Sequence, residues 1–176
     1  MNRHVILVGL PGAGKTTVGR RVVELLPGDF TAFTDIDEAV ESGTGRSIAR
    51  IFAESGEAEF RRLERAAMDR ALEAPPHLIA AGAGWIAQPG NLDAARERDA
   101  LVLYLRVPPE VPAARLGDDA TRPLLAGKDR LGTLRQLLGE REAWYHQADA
   151  TLDASGDPEA VARAVVERLG GPAAQG

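Results

Sequence analysis

A glycine-rich segment near the start of the chain has the residue types and spacing of a phosphate-binding loop. Gly9, Gly14, Lys15 and Thr16 follow the pattern G-x-x-x-x-G-K-[ST], between an apolar run and a helix-compatible stretch. Glycines let successive backbone N–H groups turn towards a polyanion, and the following helix adds donors and a positive dipole. We predict that Lys15 reaches the β- and γ-phosphates of a nucleoside triphosphate and that the Thr16 hydroxyl holds Mg²⁺. The predicted nucleotide-binding residues of this loop are Gly12, Ala13, Gly14, Lys15, Thr16 and Thr17.

Two carboxylates, Asp35 and Asp37, flank Ile36 after the second apolar segment. If the chain is still extended there, alternate side chains share a face and both carboxylates point to one place. Two neighbouring carboxylates are costly unless a cation or a proton-bearing substrate separates them. Beside a nucleotide–Mg²⁺ site, one can serve the metal and the other can accept a hydroxyl proton. An exposed acidic turn, or a helix N-cap by Asp37, is the alternative interpretation.

The remaining polar residues are less distinctive by themselves. Arg61 and Glu64 are three residues apart on a predicted helix, where a surface ion pair of little energetic value would explain them. Arg141 alone would be a solvated helix arginine. The histidines are scattered and the chain has no cysteine, so we expect neither a histidine metal site nor a disulfide or thiolate site.

Strand-like and helix-like segments alternate along the chain. The predicted strands are Val5–Val8, Phe30–Thr34 (ending at Asp35), His77–Ala81, Leu101–Leu105 and Ala150–Asp153. The predicted helices are Thr16–Leu26, Gly45–Glu54, Gly56–Glu73, Asn91–Glu97, Pro109–Leu116, Leu131–His146 and a last one with Asp157 as N-cap, Pro158 at its first position and Gly170 past its end. Near-continuous apolar strands interleaved with helices indicate an α/β fold, a parallel sheet covered on both faces. Ligands of such sheets lie beyond the carboxyl ends of the strands, which places Asp35, Gly82 and the phosphate-binding loop on one rim.

Glycines bracket a charged stretch at residues 117–129. A surface loop is one interpretation. The other is a lid in which Arg122 closes over the transferring phosphoryl group. We expect a single domain over residues 1–170, with the lid at about 117–129 and a disordered tail at 171–176.

Composition excludes several classes of function. The chain has 176 residues, 44% of them apolar, and a net charge of −5, so no basic surface for nucleic acid is indicated. No apolar run is near the roughly 18 residues that a membrane span needs, and no signal peptide is evident. We expect a cytoplasmic monomer with no membrane or nucleic-acid partner.

Taken together, these motifs resemble the shikimate kinase family, small P-loop kinases of the nucleoside monophosphate kinase type. The resemblance runs from about Val5 to Leu169. The segments that carry it are Gly9–Thr17, Asp35–Asp37, Gly56–Glu64, Arg122–Leu125, and Arg141 four residues before Tyr145. The phosphate-binding loop alone is unspecific, but the other segments in this order and spacing are specific.

The resemblance implies a role for each matching residue. Asp37 would bind and deprotonate the acceptor hydroxyl, and Asp35 would support Mg²⁺ together with Thr16. Arg61 and Arg141 would clamp the carboxylate of the acceptor, a planar group that arginine recognises well.

The resemblance also implies the lid arginine, the adenine-binding residues, the fold, the substrates and the cofactor. Arg122 would be the lid arginine and, with Lys15 and Asp37, a catalytic residue, while Arg115 and Pro158 would sandwich adenine. The fold would be three-layered, with a five-stranded parallel sheet in the order 2-3-1-4-5. ATP and shikimate, a small carboxylate-bearing polyol, would be the substrates, Mg²⁺ the cofactor, and aromatic amino-acid biosynthesis the pathway.

One segment differs from the family pattern. The family has three consecutive glycines, whose backbone N–H groups approach the acceptor, where this chain has Gly82, Ala83 and Gly84. Ala83 keeps its N–H group but would be strained if the position needs a positive φ. Trp85 replaces a small residue, and we expect its side chain to fill part of the acceptor pocket.

Three hypotheses therefore stand. The first is an ATP-dependent kinase of the 3-hydroxyl of shikimate. The second is a kinase of this type for another small polyol or cyclitol, for which a pocket altered at Ala83 and Trp85 would be suited. The third, a nucleotide-binding module without activity, is disfavoured because the predicted catalytic residues are all present.

Overall fold

A computed structural model describes residues 1–30, 32–116 and 129–171. Five strands form one all-parallel sheet with the order β2-β3-β1-β4-β5. The strands are β1 (Val5–Val8), β2 (Phe33–Asp35), β3 (Leu78–Ala80), β4 (Leu101–Arg106) and β5 (Ala150–Asp153). The predicted fold class and strand order are confirmed.

The central strand β1 shows why the sheet is covered on both sides. Its four residues are at most 1% exposed. Because successive side chains of a strand point to opposite faces, burial of all four requires packing on both faces of the sheet. The sheet is therefore the middle layer of the fold.

Helices occupy the connections between the strands. They are α1 (Lys15–Leu25), α2 (Ile36–Thr44), α3 (Ile48–Glu73), α4 (Asn91–Glu97), α5 (Glu110–Arg115), α6 (Arg130–Tyr145) and α7 (Pro158–Arg168), and a short 3₁₀ turn spans Trp85–Ala87. The start of α7 is as predicted, because the Asp157 side chain accepts hydrogen bonds from the backbone N–H groups of Glu159 and Ala160. Among the described residues, no helix is long and apolar enough to cross a membrane.

Two details differ from the sequence-based expectations. The chain does not continue as a strand after Asp35 but turns into α2, a helix that was not predicted. The two helices predicted around Gly56 form one long helix, α3, with a kink at Gly56 (φ 78°, ψ 175°). That backbone conformation is accessible essentially only to glycine, so this residue permits the kink.

Candidate active site

A cavity of about 880 Å³ lies where the carboxyl ends of β1, β2 and β3 meet, as the topology predicts. It brings together most of the predicted site residues. Those that line it are Gly12, Gly14, Lys15, Thr16, Thr17, Asp35, Asp37, Arg61, Gly82, Ala83, Gly84, Arg115 and Arg141. The residues predicted to bind phosphate and those predicted to bind the acceptor carboxylate therefore line one cavity.

The phosphate-binding loop joins β1 to α1. Gly14 has a left-handed conformation (φ 93°) and immediately precedes α1, so the helix starts with its free N–H groups beside the loop. The ammonium of Lys15 lies over the loop and donates to the carbonyl oxygens of Gly9 (3.0 Å) and Leu10 (3.1 Å). Ala13 is buried rather than exposed to the cavity.

Asp35 joins the loop to the next strand. Its Oδ2 accepts a 2.5 Å hydrogen bond from the Thr16 hydroxyl, and its Oδ1 accepts from the backbone N–H groups of Asp37 (2.9 Å) and Glu38 (3.2 Å). Asp35, rather than Asp37, is thus the N-cap of α2. The expectation that Asp35 and Asp37 share the face of an extended segment is wrong, because the helix begins between them. They nevertheless line the same cavity.

Asp37 lies in the first turn of α2, opposite the end of β3. A methyl group built on Gly82 would lie 3.1 Å from Asp37 Oδ1 and would clash with Glu64 Oε1. Two carboxylates therefore approach the backbone of Gly82 so closely that a side chain at this position would clash with them. The negative charge of Asp37 also raises the pKa of Glu64.

The pair formed by Arg61 and Glu64 is buried, in contrast to the surface ion pair that spacing alone suggested. Glu64 is 1% exposed and Arg61 is 13% exposed, with a distance of 2.8 Å between Arg61 Nη1 and Glu64 Oε2. Burial raises the pKa of the Glu64 carboxyl, and the Arg61 guanidinium opposes that rise. Arg61 is also held by Glu57, whose Oε1 lies 3.0 Å from Nη2. These contacts orient the planar guanidinium at the wall of the cavity.

The segment Gly82–Gly84 follows β3 and forms the wall of the cavity next to Arg61, since a methyl group built on Gly84 would lie 2.6 Å from Arg61 Nη2. Its backbone N–H groups donate to no acceptor among the described residues, whereas the next N–H group, that of Trp85, donates to the Gly82 carbonyl (3.0 Å). Ala83 is not strained, since Asp99 is the only described residue other than glycine with a positive φ. The methyl group of Ala83 is therefore compatible with this backbone.

Trp85 does not fill the cavity, and that expectation is wrong. Its side chain is 1% exposed and belongs to the hydrophobic core, because the 3₁₀ turn directs it inward. Asn91, itself buried, donates to the Trp85 carbonyl at 2.8 Å. Trp85 thus anchors the end of this wall from behind.

Arg141 reaches the cavity from α6, near the end of that helix. Tyr145 follows one helical turn later and donates from its hydroxyl to the carbonyl of Ala83 (2.6 Å). Burial raises the pKa of the Tyr145 phenol, and the positive charge of Arg141 opposes this rise.

Arg115 and Pro158 are connected through the loop between β5 and α7. The Arg115 guanidinium donates to the carbonyl oxygens of Ala154 (3.4 Å) and Gly156 (2.9 Å), in the loop that leads to Pro158. Arg115 lines the cavity, but Pro158 does not. The proposed lid at about residues 117–129 and its arginine, Arg122, lie outside the described residues, apart from residue 129.

The lining residues that were not predicted as site residues include Ile48, Phe52 and Glu41. Ile48 and Phe52 are one turn apart on α3 and supply an apolar wall, and Glu41 of α2 accepts from the Ile48 N–H group (2.8 Å). Two apolar residues spaced i and i+4 before the Gly56 kink were the available signal. Within the described ranges, no group of three or more His, Cys, Asp or Glu side chains could hold a metal ion.

The fold and the site define a class. A phosphate-binding loop after the central strand of a 2-3-1-4-5 parallel sheet, with carboxylates and arginines in the same cavity, is the arrangement of an α/β P-loop kinase.

Comparison with known proteins narrows the class. The family model for shikimate kinase matches residues 11–170. Shikimate kinase from Mycobacterium avium is 41% identical over 172 residues, covering 96% of this chain and 94% of that protein. The structure of shikimate kinase from Acinetobacter baumannii in complex with shikimate is 33% identical, with a TM-score of 0.89 over 95% of this chain and 92% of that one. The structure of shikimate kinase from Aquifex aeolicus is 32% identical, with a TM-score of 0.80, and the match covers 98% of this chain and 99% of that one. The chain belongs to the shikimate kinase family and is an ATP-using kinase.

Proposed function

We propose that this chain transfers the γ-phosphoryl group of ATP to the 3-hydroxyl of shikimate, giving shikimate 3-phosphate and ADP. The observation that carries the proposal is the cavity that joins the phosphate-binding loop to Asp37, Arg61 and Arg141. A site of this kind fits a phosphoryl donor at one end and a small hydroxy acid at the other. The similarity to a shikimate kinase solved with shikimate supports this acceptor.

At the nucleotide end, the loop from Gly12 to Thr17 wraps the phosphates with backbone N–H groups and the start of α1. Lys15 follows the β/γ oxygens as charge develops in the transition state. Arg115 and Pro158 hold the adenine, since Arg115 is fixed by the carbonyl groups of the loop that leads to Pro158. Arg122 supplies a further positive charge from the lid.

The residues beside the loop fit Mg²⁺. The Thr16 hydroxyl and the Asp35 carboxylate offer hard oxygen ligands beside the phosphate site, directly or through water. Few protein ligands are needed, because Mg²⁺ in kinases is held by one or two protein oxygens together with phosphates and water. When bound, the ion would neutralise charge on the β- and γ-phosphates.

At the acceptor end, Arg61 and Arg141 bind the carboxylate of shikimate. Arg61 suits this role because Glu57 and Glu64 fix the orientation of its guanidinium. The backbone N–H groups of Gly82–Gly84 hydrogen-bond the ring hydroxyls from the adjacent wall. The acceptor is thus held both at its carboxylate and at its hydroxyls.

Asp37 acts as the base. As the acceptor oxygen forms its bond to the γ-phosphorus, the bond between that phosphorus and the ADP oxygen breaks, and Asp37 takes the hydroxyl proton. Burial raises the pKa of the neighbouring Glu64 carboxyl, Arg61 opposes that rise, and the negative charge of Asp37 adds to it.

A differently shaped acceptor was the second hypothesis, and it depended on Ala83 and Trp85. Trp85 lies in the core and Ala83 has an ordinary backbone conformation. Neither residue therefore gives a reason to prefer another polyol or cyclitol.

Coupled detection of ADP release with shikimate and a panel of polyols and cyclitols tests the proposal. Replacing Arg61 or Arg141 by alanine should cost about 2–5 kcal/mol of acceptor binding while the KM for ATP stays constant. Arg62→Ala is the matched control, because Arg62 pairs with Glu59 at the surface of the same helix. Turnover of another acceptor but not of shikimate would show that the proposal is wrong.

A further inference from the structure

Two tyrosines are stacked behind the acceptor wall. Tyr104 of β4 and Tyr145 at the end of α6 have ring centroids 4.8 Å apart and planes 12° from parallel. Both side chains are at most 1% exposed. The two tyrosine rings are therefore equally buried and pack against each other in the core.

The two hydroxyls have different surroundings. The Tyr145 hydroxyl donates a 2.6 Å hydrogen bond to the carbonyl of Ala83. The Tyr104 hydroxyl is buried with no hydrogen-bond partner among the residues that the structure describes. Removing the first hydroxyl would leave the partly buried Ala83 carbonyl without this donor, whereas removing the second would remove a buried polar group that has no partner among the described residues.

Tyr145 lies one helical turn after Arg141 on α6. Burial raises the pKa of its phenol, and the positive charge of Arg141 opposes this rise. The hydrogen bond from the Tyr145 hydroxyl therefore fixes the backbone of Ala83 to the part of α6 that carries Arg141. Arg141 and Ala83 are far apart in sequence but are linked here through Tyr145.

We propose that Tyr145 is a positioning residue for the acceptor: its hydroxyl ties the Gly82–Gly84 wall to the turn of α6 that carries Arg141. This inference rests on the proposed function, in which that wall reads the ring hydroxyls and Arg141 reads the carboxylate. Because the two groups must contact one small molecule together, a fixed separation between them raises acceptor affinity. The nucleotide end does not depend on this link.

The test compares Tyr145→Phe with Tyr104→Phe. Each removes one hydroxyl and keeps the stacked rings. For Tyr145→Phe we expect the KM for shikimate to rise about tenfold, as the loss of one buried hydrogen bond implies. The KM for ATP and kcat should each change by less than about twofold, because a positioning role affects acceptor binding only. A general loss of structure would change all three constants. Tyr104→Phe should leave all three constants unchanged.

Hydrogen exchange of ligand-free protein gives a second readout that does not need an acceptor. The backbone amides of Trp85 and Ala87, which donate to the carbonyl oxygens of Gly82 and Gly84, should exchange faster in Tyr145→Phe than in the native protein, and at the native rate in Tyr104→Phe. If native protein phosphorylates shikimate but Tyr145→Phe has the native KM, the positioning role is wrong and the proposed function stands. If the native protein does not turn over shikimate, the proposed function fails. Independently of that result, equal amide exchange rates in Tyr145→Phe and Tyr104→Phe would show that the Tyr145 hydroxyl does not hold the Gly82–Gly84 segment.

Discussion

Replacing Gly84 by alanine should damage acceptor binding through Arg61 alone. Gly84 has φ −100° and ψ −2°, a conformation that alanine adopts without strain. A methyl group at this position would lie 2.6 Å from Arg61 Nη2 and 2.9 Å from Arg61 Nη1 and Cζ. Ordinary contact is at about 3.5–4.0 Å between carbon atoms, so the guanidinium must move by roughly 1 Å.

Arg61 cannot make that movement without losing contacts. Its Nη1 is paired with Glu64, which is 1% exposed, and its Nη2 is paired with Glu57. A displacement of about 1 Å at a positioning group can cost about 10²-fold in rate. We therefore expect kcat/KM for shikimate to fall by about 10- to 100-fold, which corresponds to about 1.4–2.7 kcal/mol.

Steady-state kinetics with each substrate varied in turn, together with thermal denaturation, measure this effect. The nucleotide Kd should be unchanged, because Gly84 and Arg61 belong to the acceptor end of the cavity. Gly139→Ala on α6 is the matched control, since a methyl group there meets nothing within 4 Å. A folded Gly84→Ala protein with the native kcat/KM for shikimate would show that Arg61 is not at the acceptor, or that it moves without consequence.

Three further predictions concern the base, the lysine and a buried histidine. Asp37→Asn should lower kcat by about 10²–10⁴-fold with little change in the KM for ATP, and a loss below about tenfold in a folded protein would remove Asp37 from that role. Lys15→Met should keep the circular dichroism spectrum and abolish transfer, with weak nucleotide binding left to the loop amides; substantial remaining activity would mean that the loop is misinterpreted. Burial and the neighbouring His77 lower the pKa of His4, so the unfolded chain binds a proton first and stability should fall as pH drops below about 6.5. Urea unfolding between pH 5 and 7.5 should show a flatter profile for His4→Phe, and identical slopes would contradict this assignment.

Local patterns determined much of this protein. The phosphate-binding loop, the helix that starts after it, and the α7 start at Asp157 and Pro158 depend on neighbouring residues only. The alternation of apolar strands and helices, with the family resemblance, predicted the parallel sheet and its order, which the structure confirms. Because the carboxyl ends of parallel strands share one edge, the strand pattern was also sufficient to predict that Asp35 and Gly82 lie on a common rim.

Tertiary structure decided what depends on contacts between distant segments. The sequence could not show that Glu64 is buried against Gly82, since a spacing of three residues is the same for an exposed pair and a buried one. The direction of Trp85 was mispredicted because a 3₁₀ turn, which no local pattern indicated, points it into the core. The roles of the individual site residues stay predictions, and the kinetic tests above address them. Motifs identify which groups are present, whereas burial, orientation and the link from Tyr145 to Ala83 arise only when α6 packs beside the end of β3.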